Sequence, residues 1–318
     1  MYYIGIDIGG TKCAASLGSV ENDAPTLISK TQIPTDRAPY DMLTALMDEA
    51  EKLLTSASLA WEDIASIGIS CGGPLDSKRG VILSPPNLPT WDHIEAVDYI
   101  KSRTGRPTAL QNDANACAVA EWKFGAGRGH DSMIFLTFGT GFGAGLILDG
   151  KLYSGHRDNA GEVGHVRLAE DGPVGYYKAG SVEGFCSGGG IAQLGRRAIE
   201  AELANGNTPK LLEAAGSMEA VNAKLIAELA REGDPLCLSV YNECADRLGM
   251  ALSMLMDIVD PEVIVIGSIF ARSEDLLRTR MQAVIDREAL MPCPVVAAGL
   301  GEKIGDYAAL SVAYACVK

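Results

Sequence analysis

Two segments far apart in the chain share one construction, and this repetition constrains the fold more than any other feature. Residues 2–8 read YYIGIDI, an apolar run with one embedded acid, Asp7; Gly9, Gly10 and Thr11 follow, and Lys12 leads into CAASLGSV. Residues 133–138 read MIFLTF, followed by Gly139-Thr140-Gly141-Phe142-Gly143 and then AGLILDG. Each reads as strand, glycine-threonine turn, strand. One such hairpin in each half of the chain points to a duplicated architecture. Glycines let the backbone approach a ligand closely and aim successive N–H groups into one concavity, which suits phosphate oxygens. Thr11, Lys12 and Thr140 add hydroxyl and ammonium donors, and Asp7 is placed to hold a hydrated Mg²⁺ against those phosphates. Either hairpin alone is equally an ordinary tight turn beside a buried residue; the pair, with complementary donors, favours phosphate binding. Neither is a Walker P-loop, because no G-x-x-x-x-G-K-[ST] occurs.

Helical patterning fills the spaces between these strands. Leu43, Leu46, Met47, Ala50, Leu53 and Leu54 recur at helical spacing. Ile64–Ser70 reads as a short apolar strand ending in the turn Cys71-Gly72-Gly73-Pro74, and Val263–Ile266 as a buried strand closing on Gly267-Ser268. The spacing predicts helices over Gln193–Leu203, Pro235–Ile258 and Glu274–Leu290. Strands alternating with helices argue for α/β architecture. The polar, helix-prone segment 205–233, punctuated by Gly206, Pro209 and Gly216, reads as a peripheral insertion. A chain of 318 residues is comfortable for two lobes.

Charge and cysteine usage exclude several classes. With 41 acids against 27 Lys and Arg the net charge is −14, and no basic cluster relieves it, so neither nucleic acid nor an anionic membrane is expected as a partner. No apolar run approaches the roughly 20 residues needed to cross a bilayer. The eight cysteines form no C-x-x-C and lie mostly in apolar or helical stretches, which reads as free thiols in a reducing compartment. MYYIGIDIGG at the start lacks the pattern of a signal peptide, so a cytoplasmic location is expected.

Two further stretches carry chemistry. LQNDAN (110–115) follows a strand-like run and precedes a helix over Ala114–Phe124, placing Asn112 and Asp113 at a strand-to-helix junction. Capping explains one of these polar residues, since Asn and Asp are favoured N-caps; it explains less well the pair beside Asn115. Phosphoryl transfer needs neutralised phosphates, an acceptor held in line and an acid to take the acceptor proton, and Asp113 suits that last role. GEVGHVRLAEDGPVGYYKAGSVEG (161–184) holds Glu162, His165 and Glu183, which could be metal ligands, a catalytic set or part of a sugar pocket. A di-iron helical bundle would need the Glu-x-x-His element twice, and it occurs once.

Six elements in order resemble the ROK family of bacterial sugar kinases and sugar-responsive repressors: DIGGTK (7–12), NDAN (112–115), GTGFGAG (139–145), GEVGH (161–165), the E…SGGG run (183–190) and GDYAALSVA (305–313). The resemblance implies an actin-like/hexokinase-type (ribonuclease H-like) two-lobed α/β fold with duplicated βββαβα-type halves. The lobes are expected at 1–112 plus 304–318 (smaller) and 113–303 (larger). It implies an ATP- and Mg²⁺-dependent kinase acting on the 6-hydroxyl of a hexose. Asp113 lies where the family places its catalytic base, and Asn112, Glu162, His165 and Glu183 where it places sugar ligands, with Gly73 and Asn87 of the PPNLPTW loop (85–91) as further contacts. Gly9, Gly10, Thr11, Lys12, Gly139, Thr140 and Gly141 would carry ATP, with Gly267 and Ser268 near the nucleoside and Asp7 on Mg²⁺ through water.

Glucose is the first expectation for the sugar. N-acetylmannosamine, N-acetylglucosamine, allose, fructose or a β-glucoside fit the same ligand set, and a homodimer is the common assembly for such chains. A sugar-responsive repressor is the alternative of another class; its helix-turn-helix would precede the first hairpin, which here begins within ten residues of Met1. An actin- or chaperone-like ATPase shares the two hairpins but gives no reason for Asn112, Glu162, His165 and Glu183 together.

Zinc-bearing members of the family continue GExGH with C-x-C-G-x-x-G-C-x-E. Counting back from Glu183, the three cysteine positions hold Val174, Tyr176 and Ser181, so no structural zinc is expected. Tyr176 and Tyr177 are then the expected brace between His165 and Glu183.

Overall fold

The computed structural model describes residues 1–21 and 24–317. The chain opens with strands β1 (Tyr2–Ile8), β2 (Lys12–Glu21) and β3 (Ala24–Pro34), then helix α1 (Pro39–Ser56). Strands β4 (Ile64–Cys71), β5 (Leu75–Asp76) and β6 (Val81–Ile82) precede α2 (Ala96–Thr104), β7 (Thr108–Asn112) and α3 (Asp113–Phe124). A second series begins with β8 (Met133–Leu136), β9 (Ala144–Leu148) and β10 (Lys151–Tyr153). It continues through the short pair β11 (Val174–Gly175) and β12 (Lys178–Ala179), α4 (Val182–Phe185), α5 (Gly188–Ala204), α6 (Lys210–Ala215) and α7 (Ala223–Arg231). The chain closes with α8 (Pro235–Val259), β13 (Val263–Ile266), α9 (Ile269–Glu288), β14 (Val295–Ala297) and α10 (Ile304–Cys316).

The duplication expected from the two hairpins is visible in the topology. The first sheet has the order β3-β2-β1-β4-β7 and the second the order β10-β9-β8-β13-β14. Counting only the strands of each sheet in chain order, the third, second and first are followed by the fourth and fifth. Contacts divide the chain into two compact units, one of Met1–Phe135, Gly145–Ala160 and Gly299–Lys318, the other of Leu136–Ala144 and Gly161–Ala298.

In the first unit β1 pairs antiparallel with β2 and parallel with β4, which pairs parallel with β7. Alternation along β1 sends Ile4, Ile6 and Ile8 into a core with Met42, Leu43, Leu46 and Met47 of α1 and Ile100 of α2. Tyr3 points the other way, to Leu310, Ala313 and Tyr314 of α10. The registers Asp7↔Ser70 and Cys71↔Asn112 bring the carboxyl ends of β1, β4 and β7 together. In open α/β sheets such ends are where ligands bind.

In the second unit β13 pairs parallel with β14, and helices α5, α7, α8 and α9 pack together. Helix α8 starts where Asp234 accepts from Cys237 N–H (2.8 Å) with Pro235 in its first turn. Two expectations are corrected here. Helix α5 starts at Gly188, earlier than its apolar pattern shows, because Ser187 caps Gly190 N–H (3.0 Å) and offsets three poor helix formers. The segment 205–233 is only in part peripheral: α7 buries Ile226, Ala227, Leu229 and Ala230 against its neighbours.

Candidate active site

In the first unit the strand ends carry the acids. Asn112 is the N-cap of α3: its Oδ1 accepts from Ala114 N–H (3.0 Å), and Asp113 Oδ1 accepts from the same group (2.8 Å). Capping and availability for chemistry coexist, because each side chain keeps a second polar atom. The Asn112 amide faces Gly73, where a Cβ would lie 3.2 Å from Nδ2. Asp113 is exposed. The protein mass packed around it nevertheless strips hydration from the charged form and raises its pKa, against the pull of the Ala114 N–H. Burial likewise raises Asp7 to about 6; Lys30 lowers it, while Asp113 and Asp306 push it further up.

The first glycine turn lies against the PPNLPTW loop. A Cβ on Gly10 would come within 2.4 Å of the Asn87 carbonyl oxygen, so only glycine permits this approach. Asn87 Oδ1 in turn faces Gly72, and Leu88 and Trp91 anchor the loop in the core. Gly10, Thr11 and Lys12 are exposed. Thr35 holds the turn from the side, donating to Gly9 carbonyl (2.7 Å), with its N–H on Thr11 carbonyl (3.0 Å). Gly73, Asn87, Asn112 and the Gly9–Thr11 turn thus gather at the strand ends.

The second unit gathers the rest. Gly139 N–H donates to Gly141 carbonyl (3.1 Å), closing the second glycine turn, and Thr140 is exposed at its tip. Two helix N-termini converge on it. Gly188 N–H, opening α5, donates to Gly139 carbonyl (2.8 Å), and Ser268, preceding α9, faces Gly139. Gly267 N–H is held by Leu136 carbonyl (3.0 Å). Helix starts favour anions through the N–H groups left over once such pairs are made. Glu183 joins this turn to the sugar-type residues, because its Oε2 accepts from Phe142 N–H (3.0 Å). Glu162 and His165 are exposed on a short 3₁₀ turn, His165 N–H donating to Glu162 carbonyl (3.1 Å).

The positions where a zinc-bearing relative would have cysteines do not fit zinc. Val174 and Tyr176 offer no thiolate. The buried Ser181 hydroxyl donates to Lys178 carbonyl (3.1 Å) and accepts from Gly184 N–H (3.1 Å). Among the described residues no group of three or more His, Cys, Asp or Glu could hold a metal ion. Of the expected tyrosine brace, Tyr176 is in ring contact with His165 and Tyr177 with Tyr176. Tyr176 meets the edge of His165 at 6.2 Å between ring centroids, but Tyr176 is 59% exposed and Tyr177 93%. Lys178 Nζ also donates to His165 carbonyl (2.7 Å), Val182 N–H to Val166 carbonyl (2.8 Å) and Arg167 to Ala179 carbonyl (3.1 Å).

Sequence reasoning missed Lys30, Asp306 and Thr35. Lys30 and Asp306 form an ion pair whose charges reach Asp7. Asp306 stands in the GDYAALSVA motif and was findable there; Lys30 and Thr35 sit in and just after the alternating strand β3, with no local signal.

A model described as the ROK family matches residues 3–315. The chain belongs to the ROK family. The glucokinase of Thermotoga maritima is 32% identical to this ROK chain over 317 residues, covering 97% of it and 96% of the relative. The glucokinase of Streptomyces coelicolor is 30% identical over 313 residues, 95% of this chain and 94% of the relative. Among solved structures, the ROK family glucokinase from Streptomyces griseus in complex with glucose and AMPPNP is 32% identical, with 99% of this chain and 100% of that one covered and a TM-score of 0.76. The fold of this ROK protein is the actin-like, hexokinase-type α/β fold. Among its described residues no helix is long and apolar enough to cross a membrane.

Proposed function

We propose that this protein is an ATP-dependent hexose kinase acting on the 6-hydroxyl of its sugar, with glucose first among the substrates. The observation that carries the reading is Asp113, an exposed acid directly after β7, beside Asn112, whose pKa the surrounding protein raises. A carboxylate so placed is a stronger base than one in water. It takes the proton of the sugar hydroxyl as that oxygen attacks the γ-phosphorus and ADP leaves. Asn112, Glu162, His165 and Glu183 hold the other hydroxyls, with Gly73 beside Asn112 and Asn87 facing Gly72. The Gly9–Lys12 and Gly139–Gly141 turns carry the nucleotide phosphates on backbone N–H groups, and Gly267 and Ser268 flank the nucleoside.

Asp7 fits a hydrated Mg²⁺: it is a desolvated acid whose charge the neighbouring Asp113 and Asp306 oppose, so a nearby cation relieves the repulsion. When bound, that ion would neutralise charge developing on the phosphates. The similarity to curated glucokinases over nearly the whole chain supports the reaction class and the order of substrates.

The test is an ATP-coupled screen over hexoses and N-acetylhexosamines compared by kcat/KM. Glucose is expected to lead. A leading N-acetylhexosamine would overturn the substrate, and fast ATP hydrolysis unaffected by any sugar would overturn the reaction class.

A further inference from the structure

The hairpin β11–β12 turns through two residues, Tyr176 and Tyr177, between Gly175 and Lys178. Their φ angles are +40° and +63°. A two-residue turn with both φ positive is normally built from Asn-Gly, because side chains with a Cβ lose roughly 1–2 kcal/mol each in the left-handed region. The fold recovers little of this by burial, since both rings are exposed. The two rings nonetheless lie tilted against each other, 5.4 Å between centroids, and Tyr176 lies edge-on to His165 at 6.2 Å. Gly175 presses on Glu183, where a Cβ would come within 2.7 Å of the Glu183 Cβ. Val174 and Val166 are also exposed large apolar residues of this region. A strained turn therefore holds two uncovered aromatic faces beside two of the residues assigned to the sugar.

We propose that Tyr176 and Tyr177 form an aromatic platform for an apolar substituent, such as an aglycone, on the part of the sugar held by His165 and Glu183. The assignment rests on the sugar-kinase reading and adds, beside glucose, the class of sugars carrying such a group. Tyrosine is well suited to such a surface. It presents a large, rigid face, its hydroxyl tolerates water when the face is uncovered, and it has little rotamer freedom to lose on binding. The strain is retained because the rings are covered only when ligand is present.

The experiment titrates the full chain by calorimetry, without nucleotide, with glucose and with the phenyl α- and β-glucosides. It compares wild type, the double variant Y176F/Y177F, and Y176N/Y177G, which keeps the turn and removes both rings. The wild type is expected to bind one phenyl glucoside about tenfold more tightly than glucose, an effect of the size expected for an aromatic pair. Y176F/Y177F should keep that ratio. Y176N/Y177G should bring it to about one while raising Tm by several degrees, as turn strain is released. Gain of stability with loss of discrimination is not what a structural brace would produce. Equal affinities in the wild type, or an unchanged ratio in Y176N/Y177G, would overturn the platform while leaving the kinase reading intact. A variant that alters only sedimentation would likewise overturn it, assigning the rings to contact with a second copy. Binding of no sugar at all, together with no sugar-dependent ATP turnover, would remove the kinase reading and the platform with it.

Discussion

Asp113 and Asp7 show how one physical cause, lost hydration, serves two ends. For Asp113 the raised pKa strengthens a base, and Asp113→Asn is expected to lower kcat by about 10²–10⁴-fold while the sugar Kd changes little. Loss of binding with normal turnover of the remaining complex would contradict the assignment. For Asp7 the cost appears in stability. A folded pKa of about 6, above the ordinary carboxylate value, means the folded state prefers the protonated form. Its stabilising share is complete at low pH and is lost as pH rises through 6. Asp7→Asn, measured without added divalent ion, should therefore be more stable than wild type by roughly 2 kcal/mol at pH 7.5, after a discount for its partial exposure. The difference should shrink to about 0.5 kcal/mol or less at pH 4 and vanish below the ordinary carboxylate pKa; an equal difference at both pH values would show another origin. Glu183 offers a third case, since it holds Phe142 N–H and stands among the sugar-type residues. Glu183→Ala should raise KM several-fold for both sugar and ATP, whereas Glu162→Ala should raise that of the sugar alone, as steady-state kinetics with either substrate varied would reveal.

At the scale of elements, helix α3 connects the candidate base to the rest of its unit. Asp113 begins it, and near its other end the fully buried Glu121 accepts from the N–H groups of Ala126 (2.8 Å), Gly299 (3.0 Å) and Leu300 (2.9 Å). No polar pattern in AVAEWKF announces this role; the partners come from the following turn and from a segment far along the chain. Removing the carboxylate leaves three donors to rehydrate, so Glu121→Ala should cost about 3 kcal/mol, read as a fall in Tm. Hydrogen exchange at Gly299 and Leu300 should accelerate with it, and unchanged exchange there would sink the assignment. The glycine turns behave differently. Both were legible, because the turn chemistry is local: glycine where the backbone must come close, apolar strands on either side. The helix at Gly188 was not, because Gly-Gly-Gly carries no helical pattern and its start depends on the Ser187 cap.

For the whole molecule, the absence of cysteines at 174, 176 and 181 predicts indifference to chelation. Exhaustive treatment with a strong chelator should leave Tm unchanged, and metal analysis should find no stoichiometric zinc; a fall of several degrees would refute this. Adding the sugar at 100 times its Kd should instead stabilise the protein by about 2.7 kcal/mol. The duplicated sheets, the acids at the ends of β1 and β7, and the family were all readable from residue order. These rest on short-range rules: alternation along Ile4, Ile6 and Ile8, glycine at turns, an N-cap at Asn112. The pairing of Lys30 with Asp306, the hold of Glu121 on Gly299 and Leu300, and the strained tyrosine turn beside His165 were decided only in three dimensions. Each depends on which distant residue supplies a charge, a donor or a surface, and that choice follows from packing, not from any pattern a local window of sequence contains.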